Sequence, residues 1–456
     1  MNVLIAIAGL GVLVLVLEII NLRKVIIPLS ILGLFGVLGM ICCQMGKTED
    51  TFNNMIVKDS FGSAFSILLV SLTILLLGLS HEFYRNHRTK ISDFVSIKLF
   101  LLSGCIAMVT FGNFAMFFLG IEILSIALYV LAASERLNLR SNEAGMKYFL
   151  LGAFASGILL FGITLIYGAT GSFDLETITA IVQSGEAEEW LNIGVVMIAI
   201  GMLFKIAAAP FHFWAPDVYE GSPALTTALM STLAKVTAIA AFFKIWSALS
   251  YDLPLVTICI IVGVAMLSMT IGNIMALKQA NVKRMLAFSG ISHAGFMLMA
   301  FLNTETAASS LFYYAAAYAT AGIAAFAVII YVARDKGHED LALFNGLGKT
   351  HPLLAVILTC ALFSMAGIPV FAGFFAKLML FNQSFTGGYI ALVIVAVVNS
   401  IISVGYYFKL IIAMFTNESN EERTGKPFMI YAVAVVALLL NLALGLYPNI
   451  TGCLGL

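Results

Sequence analysis

Residues 192–221 read NIGVVMIAIGMLFKIAAAPFHFWAPDVYEG, an apolar run long enough to cross a bilayer, with Pro210 inside it and Pro216 beyond. A spanning helix takes about 20 apolar residues. Proline removes one of its hydrogen bonds and clashes with the preceding turn, so the freed carbonyls must find neighbouring helices or trapped water. Lys205 stands five residues before that proline, at mid-membrane depth. A second stretch repeats the anomaly. Residues 351–381, HPLLAVILTCALFSMAGIPVFAGFFAKLMLF, belong to a run of about 35 residues, too long for one straight crossing. Gly367, Pro369 and Gly373 lie at its centre, and Lys377 follows. A plain proline kink explains either helix alone; their spacing explains more.

Apolar runs set against polar punctuation predict fourteen spans, at about 3–20, 25–43, 60–80, 93–111, 113–133, 146–168, 192–219, 223–250, 254–277, 284–302, 307–333, 352–386, 389–415 and 427–447. The broken runs are helices 7 and 12, five apart. Helices 4–8 and 9–13 therefore form two five-helix units, each broken in its fourth member, and an odd number inverts the second in the membrane. The expected fold is an all-α polytopic membrane protein of about 14 transmembrane helices with two inverted repeats, the pathway running near the midplane at the breaks. The expected divisions are 1–92 (three helices), 93–250 and 251–415 (the repeats) and 416–456 (the last helix).

Composition agrees. Of 456 residues, 61% are apolar and 11% charged, far from the roughly 25% charge of a soluble domain. Net charge is zero, so no basic field points to nucleic acid. The cysteines, at 42, 43, 105, 259, 360 and 453, show no CxxC spacing and read as small core residues. The N-terminus, MNVLIAIAGL, has no basic leader segment and reads as a first span. Fifteen lysines and arginines, Arg85, Arg136 and Arg334 among them, fall in one alternating set of loops; the other set holds only Lys47 and Lys58. By the positive-inside rule the first set is cytoplasmic and both termini face away from the cytoplasm.

Seven lysines lie within spans. Lys98, Lys147, Lys244 and Lys409 are near span ends, where a long side chain reaches the interface. Glu143 and Lys147 are spaced for an i, i+4 pair. Lys205, Lys235 and Lys377 have no such escape, and Glu122 and His293 are also central. Each central charge costs about 2.5–3.5 kcal/mol on insertion scales, a high cost for helix glue alone. A lysine isolated in low dielectric holds its proton less tightly, and a carboxylate nearby restores it; histidine titrates near neutrality by itself. The row therefore reads as a proton wire. One central carboxylate is too few for a sodium or calcium site. His212 has two readings, an extension of the wire or a partner for backbone groups freed by Pro210. Asp217 and Glu220, at the cytoplasmic mouth, are either solvated carboxylates or proton collectors. No GxGxxG after a strand, no cluster-binding cysteine run and no CxxCH is present, so the expectation is that the chain alone binds no redox cofactor and no metal.

FFLGIEILSIALYVL, LFKIAAAPFHFWAPDVYEGSPALTTALMSTLAKVTA and NVKRMLAFSGISHAGFMLMA closely resemble subunit N of the bacterial NADH–quinone oxidoreductase, respiratory complex I. Its wider family includes sister subunits L and M and the Mrp-type cation/proton antiporter subunits. The sisters typically read LPDAMEGPTPVSALIHA where this chain reads APDVYEGSPALTTALMS, which favours subunit N. The resemblance implies a pairing of Glu122 with Lys205. It also implies that Lys235 and Lys377 are the lysines of helices 8 and 12, and that His212 and His293 lie along the connecting axis. It implies a translocase subunit in the bacterial inner membrane that moves protons while electrons pass from NADH to quinone. Flavin and iron–sulfur clusters would sit in partner subunits, and neighbouring antiporter-like and small helical subunits would flank it. An Mrp-type antiporter subunit and a structural membrane anchor are the alternatives. One departure stands out: the helix 12 break commonly reads GIPPTAGFxGK and here reads GIPVFAGFFAK, which alters the local shape around the lysine.

Overall fold

The computed structural model describes residues 2–46, 49–51, 54–84, 90–184, 190–249, 255–334, 336–418, 425 and 427–455. Lys47, Arg85, Arg88, Arg423 and Lys426, counted above in the loop charge, lie outside the described residues. Among the described residues twelve helices are long and apolar enough to cross a membrane, and two shorter apolar helices, Trp190–Lys205 and Pro352–Ala366, accompany them. Those two are the first halves of helices 7 and 12; the chain resumes as Trp214–Gly221 and Ala372–Thr386. The fourteen predicted crossings are thus present.

Local chemistry sets the ends. Asp59, Asn113, Asn138 and Asn281 stand just before helices 3 (Ser60–Phe83), 5 (Phe114–Ala132), 6 (Leu139–Thr170) and 10 (Val282–Leu298), and each accepts a hydrogen bond from a first-turn N–H. An N-cap of this kind satisfies a donor that the helix itself cannot. Helix 6 starts seven residues before the predicted 146, because its first turns are polar and an apolar scan sees only the membrane-embedded part. Between helices 6 and 7 lies a short amphipathic helix, Leu175–Ser184, burying Leu175, Ile178 and Val182. Residues Glu49–Thr51 and Ile56–Lys58 pair as a small antiparallel hairpin. Neither is long enough to register as a span.

Packing follows the small residues. A Cβ on Gly104 of helix 4 (Ile91–Thr110) would come within 2.8 Å of the Gly120 carbonyl on helix 5, and one on Gly162 within 2.9 Å of the Gly194 carbonyl on helix 7. Close backbone approach of this kind drives helix association where lipid is as apolar as leucine. Helix 11 (Ala308–Val332) is buried along its span window and packs against helices 3, 12 and 14 (Phe428–Leu446). Helices 1 (Asn2–Ile19) and 2 (Ile26–Gln44) are peripheral, with apolar outer faces. Helix 8 (Ala224–Leu249) carries one wide turn, the π-helical Met230–Ala234, immediately before Lys235. Such bulges gather at functional sites.

Candidate proton-conducting axis

Both broken helices end in the same backbone device. At helix 7, the Ala208 N–H donates to the Leu203 carbonyl at 2.9 Å and the Ala207 N–H to Phe204 at 3.0 Å, with Ala207 at φ +57°. At helix 12, the Ile368 N–H donates to Phe363 and the Gly367 N–H to Ser364, both at 3.0 Å, with Gly367 at φ +88°. This is the Schellman arrangement, which satisfies the last carbonyls of a helix. Trp214 Nε1 also donates to the Phe204 carbonyl at 3.0 Å, and Ser268 Oγ accepts the Ala209 N–H at 2.8 Å. His212 lies in the break against Phe213. Among the described residues no hydrogen bond joins it to Lys205 or Lys235.

Lys205 is the last residue of its half-helix, where aligned carbonyls favour a cation. Its Nζ donates to Ser125 Oγ at 2.7 Å and lies 3.4 Å from the Tyr129 hydroxyl. The pairing with Glu122 that the resemblance implies is not a direct contact: among the described residues Glu122 makes no ion pair within 4.0 Å, and its buried Oε1 has no hydrogen-bond partner. The reason is height along the helix. Residues 122, 125 and 129 share a face of helix 5, and at the height of Lys205 that face presents Ser125 and Tyr129; Glu122 lies one turn away.

From Lys235 onward polar groups follow one another along helix 10 toward helix 12. Lys235, 2% exposed, donates to the Gly290 carbonyl at 2.6 Å. A Cβ at 290 would sit 2.9 Å from the ammonium, so the glycine leaves the lysine room to approach without shifting. One turn further on helix 10, His293 Nδ1 lies 2.8 Å from the Tyr314 hydroxyl and Nε2 3.3 Å from that of Tyr407, which also bonds Ser289. A cavity of about 10 Å³, lined by His293, Tyr314, Tyr318 and Lys377 among others, follows; that is about the space one water needs. Lys377, 4% exposed, donates to the Ala366 carbonyl at 2.8 Å and to Ser400 Oγ at 2.9 Å, and its ammonium faces the Phe296 ring at 4.9 Å. The GIPVFAG departure leaves this lysine in place, although Val370 is forced to φ +85° and Gly445 of helix 14 packs directly on its carbonyl.

At the face carrying the basic loops, Lys147 pairs with Glu143 at 2.7 Å and with Asp217 at 3.2 Å. Arg284 pairs with Asp217 at 2.6 Å and Glu220 at 3.0 Å. Asp217 is therefore the centre of an ion-pair network joining helices 6, 7 and 10, not a lone solvated carboxylate. Lys98 is a clear correction. Predicted to snorkel, it is 1% exposed, because its face of helix 4 turns inward. Ser125, Tyr129, Ser289, Tyr314, Ser400, Tyr407 and Arg284 were not singled out from sequence. The tyrosines alone carried a signal, since a buried phenol needs a polar partner.

The profile of the family described as NADH:quinone oxidoreductase/Mrp antiporter, TM, matches residues 112–403. The chain belongs to that family. A protein of Flavobacterium johnsoniae named NADH-quinone oxidoreductase subunit N is 64% identical, covering 99% of each chain. Its counterpart in Cytophaga hutchinsonii is 43% identical over 99% of this chain and 98% of that one. A chain of respiratory complex I from Thermus thermophilus superposes with a TM-score of 0.86 at 30% identity, covering 98% and 97% of the two chains. A chain of the Mrp complex from Dietzia shares the fold, with a TM-score of 0.87 at 22% identity over 98% and 94%. Within the family the chain groups with the subunit N proteins, and the sequence expectation of that branch holds.

Proposed function

We propose that this chain is the proton-translocating membrane subunit of an NADH–quinone oxidoreductase, a translocase whose redox groups reside in partner subunits. The observation that carries the reading is the row Lys235, Gly290, His293, Tyr407 with Tyr314, the one-water cavity, and Lys377. A histidine with a hydroxyl on each ring nitrogen takes a proton at one side and releases one at the other by exchanging tautomers. Lys205 and Glu122 form the first switchable charge and Lys377 the last. Asp217, Glu143 and Lys147 hold the cytoplasmic mouth, and His212 tunes the helix 7 break. NADH, flavin, iron–sulfur clusters and quinone are handled by the rest of the complex, with antiporter-like and small helical subunits flanking this chain in the bacterial inner membrane. Both termini face away from the cytoplasm, and the divisions near residues 92, 250 and 415 bound the two repeats. The likeness to the Mrp chain supports the fold alone.

The test is proton uptake per NADH oxidised in inverted vesicles, after a native gel has checked assembly. Lys205→Ala is expected to lose most pumping and to slow turnover through coupling. Glu122→Asp, which keeps the charge, is expected to be milder than Glu122→Gln. Full pumping by an assembled Lys205→Ala complex would return the row to helix glue.

A further inference from the structure

Among the described residues two deeply buried lysines lie outside this axis: Lys283, which pairs with Glu339 at 2.9 Å, and Lys98. The Lys98 ammonium donates to Ser80 Oγ at 2.7 Å and faces the Tyr84 ring at 4.5 Å. Tyr84 is itself 2% exposed and stacks on Phe94 at 4.1 Å. Among the described residues Lys98 has no carboxylate partner within 4.0 Å. An ammonium shut in with one hydroxyl and one ring is poorly compensated as helix glue.

Its surroundings point two ways. Outward, on the face of the basic loops, lies a cleft of about 290 Å³ whose walls include Glu82, Phe83, Glu135, Glu220, Lys283 and Glu339. Tyr84 belongs to both sides. Its ring covers the ammonium, and it directly follows Glu82 and Phe83 of the wall in the chain. Inward, Cys105 lies two turns further along the same face of helix 4, and helix 4 packs against the part of helix 8 that begins at Lys235. Helix 3, which supplies Ser80, packs against the wide turn Met230–Ala234 that precedes Lys235.

We propose that Lys98 is the inlet relay of this subunit, loaded from the cleft past Tyr84 and discharged toward Lys235 through the wide turn of helix 8. The inference rests on the proton-translocation reading above. On the cleft side the neutral amine takes a proton from hydronium, giving the ammonium and a water. On the axis side the ammonium returns that proton to water, which becomes hydronium. One proton moves, and only N–H and O–H bonds change.

The experiment uses the assembled complex in inverted vesicles, with Lys205→Ala run alongside. Lys98→Met and Lys98→Arg are each expected to lower proton uptake per NADH about tenfold, because neither side chain can take up and release a proton. A Lys98→Cys variant is then treated with 2-aminoethyl methanethiosulfonate, whose sulfenyl sulfur is attacked by the thiolate with release of methanesulfinate. This rebuilds an amine near the original length and is expected to restore pumping. Methyl methanethiosulfonate, which adds no amine, is expected to leave it low, and wild-type vesicles treated with both reagents control for other cysteines. Full pumping by Lys98→Arg overturns the relay, since a fixed charge then suffices. Equal rescue by the two reagents overturns it as well, and decides the matter if Lys98→Met or Lys98→Arg does not assemble. Full pumping by Lys205→Ala instead overturns the axis itself, whatever the Lys98 variants do.

Discussion

The two helix breaks meet the same difficulty with different chemistry. Each ends a half-helix inside the membrane, and each has a lysine close by in the chain. At helix 7 the lysine is the last residue of the first half and reaches sideways to Ser125 on helix 5. At helix 12 it belongs to the second half and reaches back to the Ala366 carbonyl, the last of the first half. The left-handed position is Gly367 in one break and Ala207 in the other, where an alanine at positive φ is strained. The first break is also locked by the Trp214 indole on the Phe204 carbonyl. The second is held by Lys377 and Ser400 on the Ala366 carbonyl and by close contact between its halves, with Gly373 against Ser364. Lys205 is thus tied to a neighbouring helix, whereas Lys377 is tied both to its own helix and, through Ser400, to helix 13 (Ile390–Thr416).

The sharpest way to break this comparison is to fix both charges. Lys205→Arg and Lys377→Arg keep a cation at each break but cannot release a proton. Both are expected to assemble and to lose proton uptake per NADH by about tenfold or more. Loss in only one of them would show that the breaks are not functional equivalents.

Next in size is Gly373→Ala. The new Cβ would overlap the Ser364 carbonyl outright. The halves of helix 12 must then separate, at a cost of about 3 kcal/mol. The amount of assembled complex on a native gel, and its half-life on heating, should both fall; wild-type values would mean the contact is not essential. A smaller effect of opposite sign separates the two left-handed positions. Gly367→Ala should destabilise and Ala207→Gly stabilise, each by about 1 kcal/mol. The midpoints of thermal inactivation of the detergent-solubilised complex should therefore move in opposite directions. Trp214→Phe should have the smallest effect. It keeps the aromatic stack with Tyr148 but drops the hydrogen bond to Phe204, for about 1 kcal/mol at most, and only the helix 7 break should loosen, read as faster amide exchange confined to 204–210.

Lys205, Lys235, His293 and Lys377 were legible because a charge or an imidazole in the middle of an apolar run is anomalous whatever surrounds it. Lys98 was misread for a related reason. Position along a span gives depth, but the direction a side chain faces depends on which neighbours the helix acquires. Ser125, Tyr314, Ser400 and Tyr407 passed unnoticed because serine and tyrosine are ordinary in membrane helices. Their partners come from helices far away in the chain: Tyr407 meets Ser289 across 118 residues and Lys205 meets Ser125 across 80.

Apolar run lengths, two interrupted spans five helices apart and the alternation of basic loops determined the number of crossings and the inverted repeats. They did so because lipid leaves a polar backbone almost no other choice. The tertiary structure decided which polar groups meet. It set Ser125 and not Glu122 against Lys205, brought the Gly290 carbonyl to Lys235, and turned Lys98 away from the membrane surface. Those contacts depend on helix rotation and on spacings of a few ångströms. Close glycine packing between helices sets both, and no single helix encodes them.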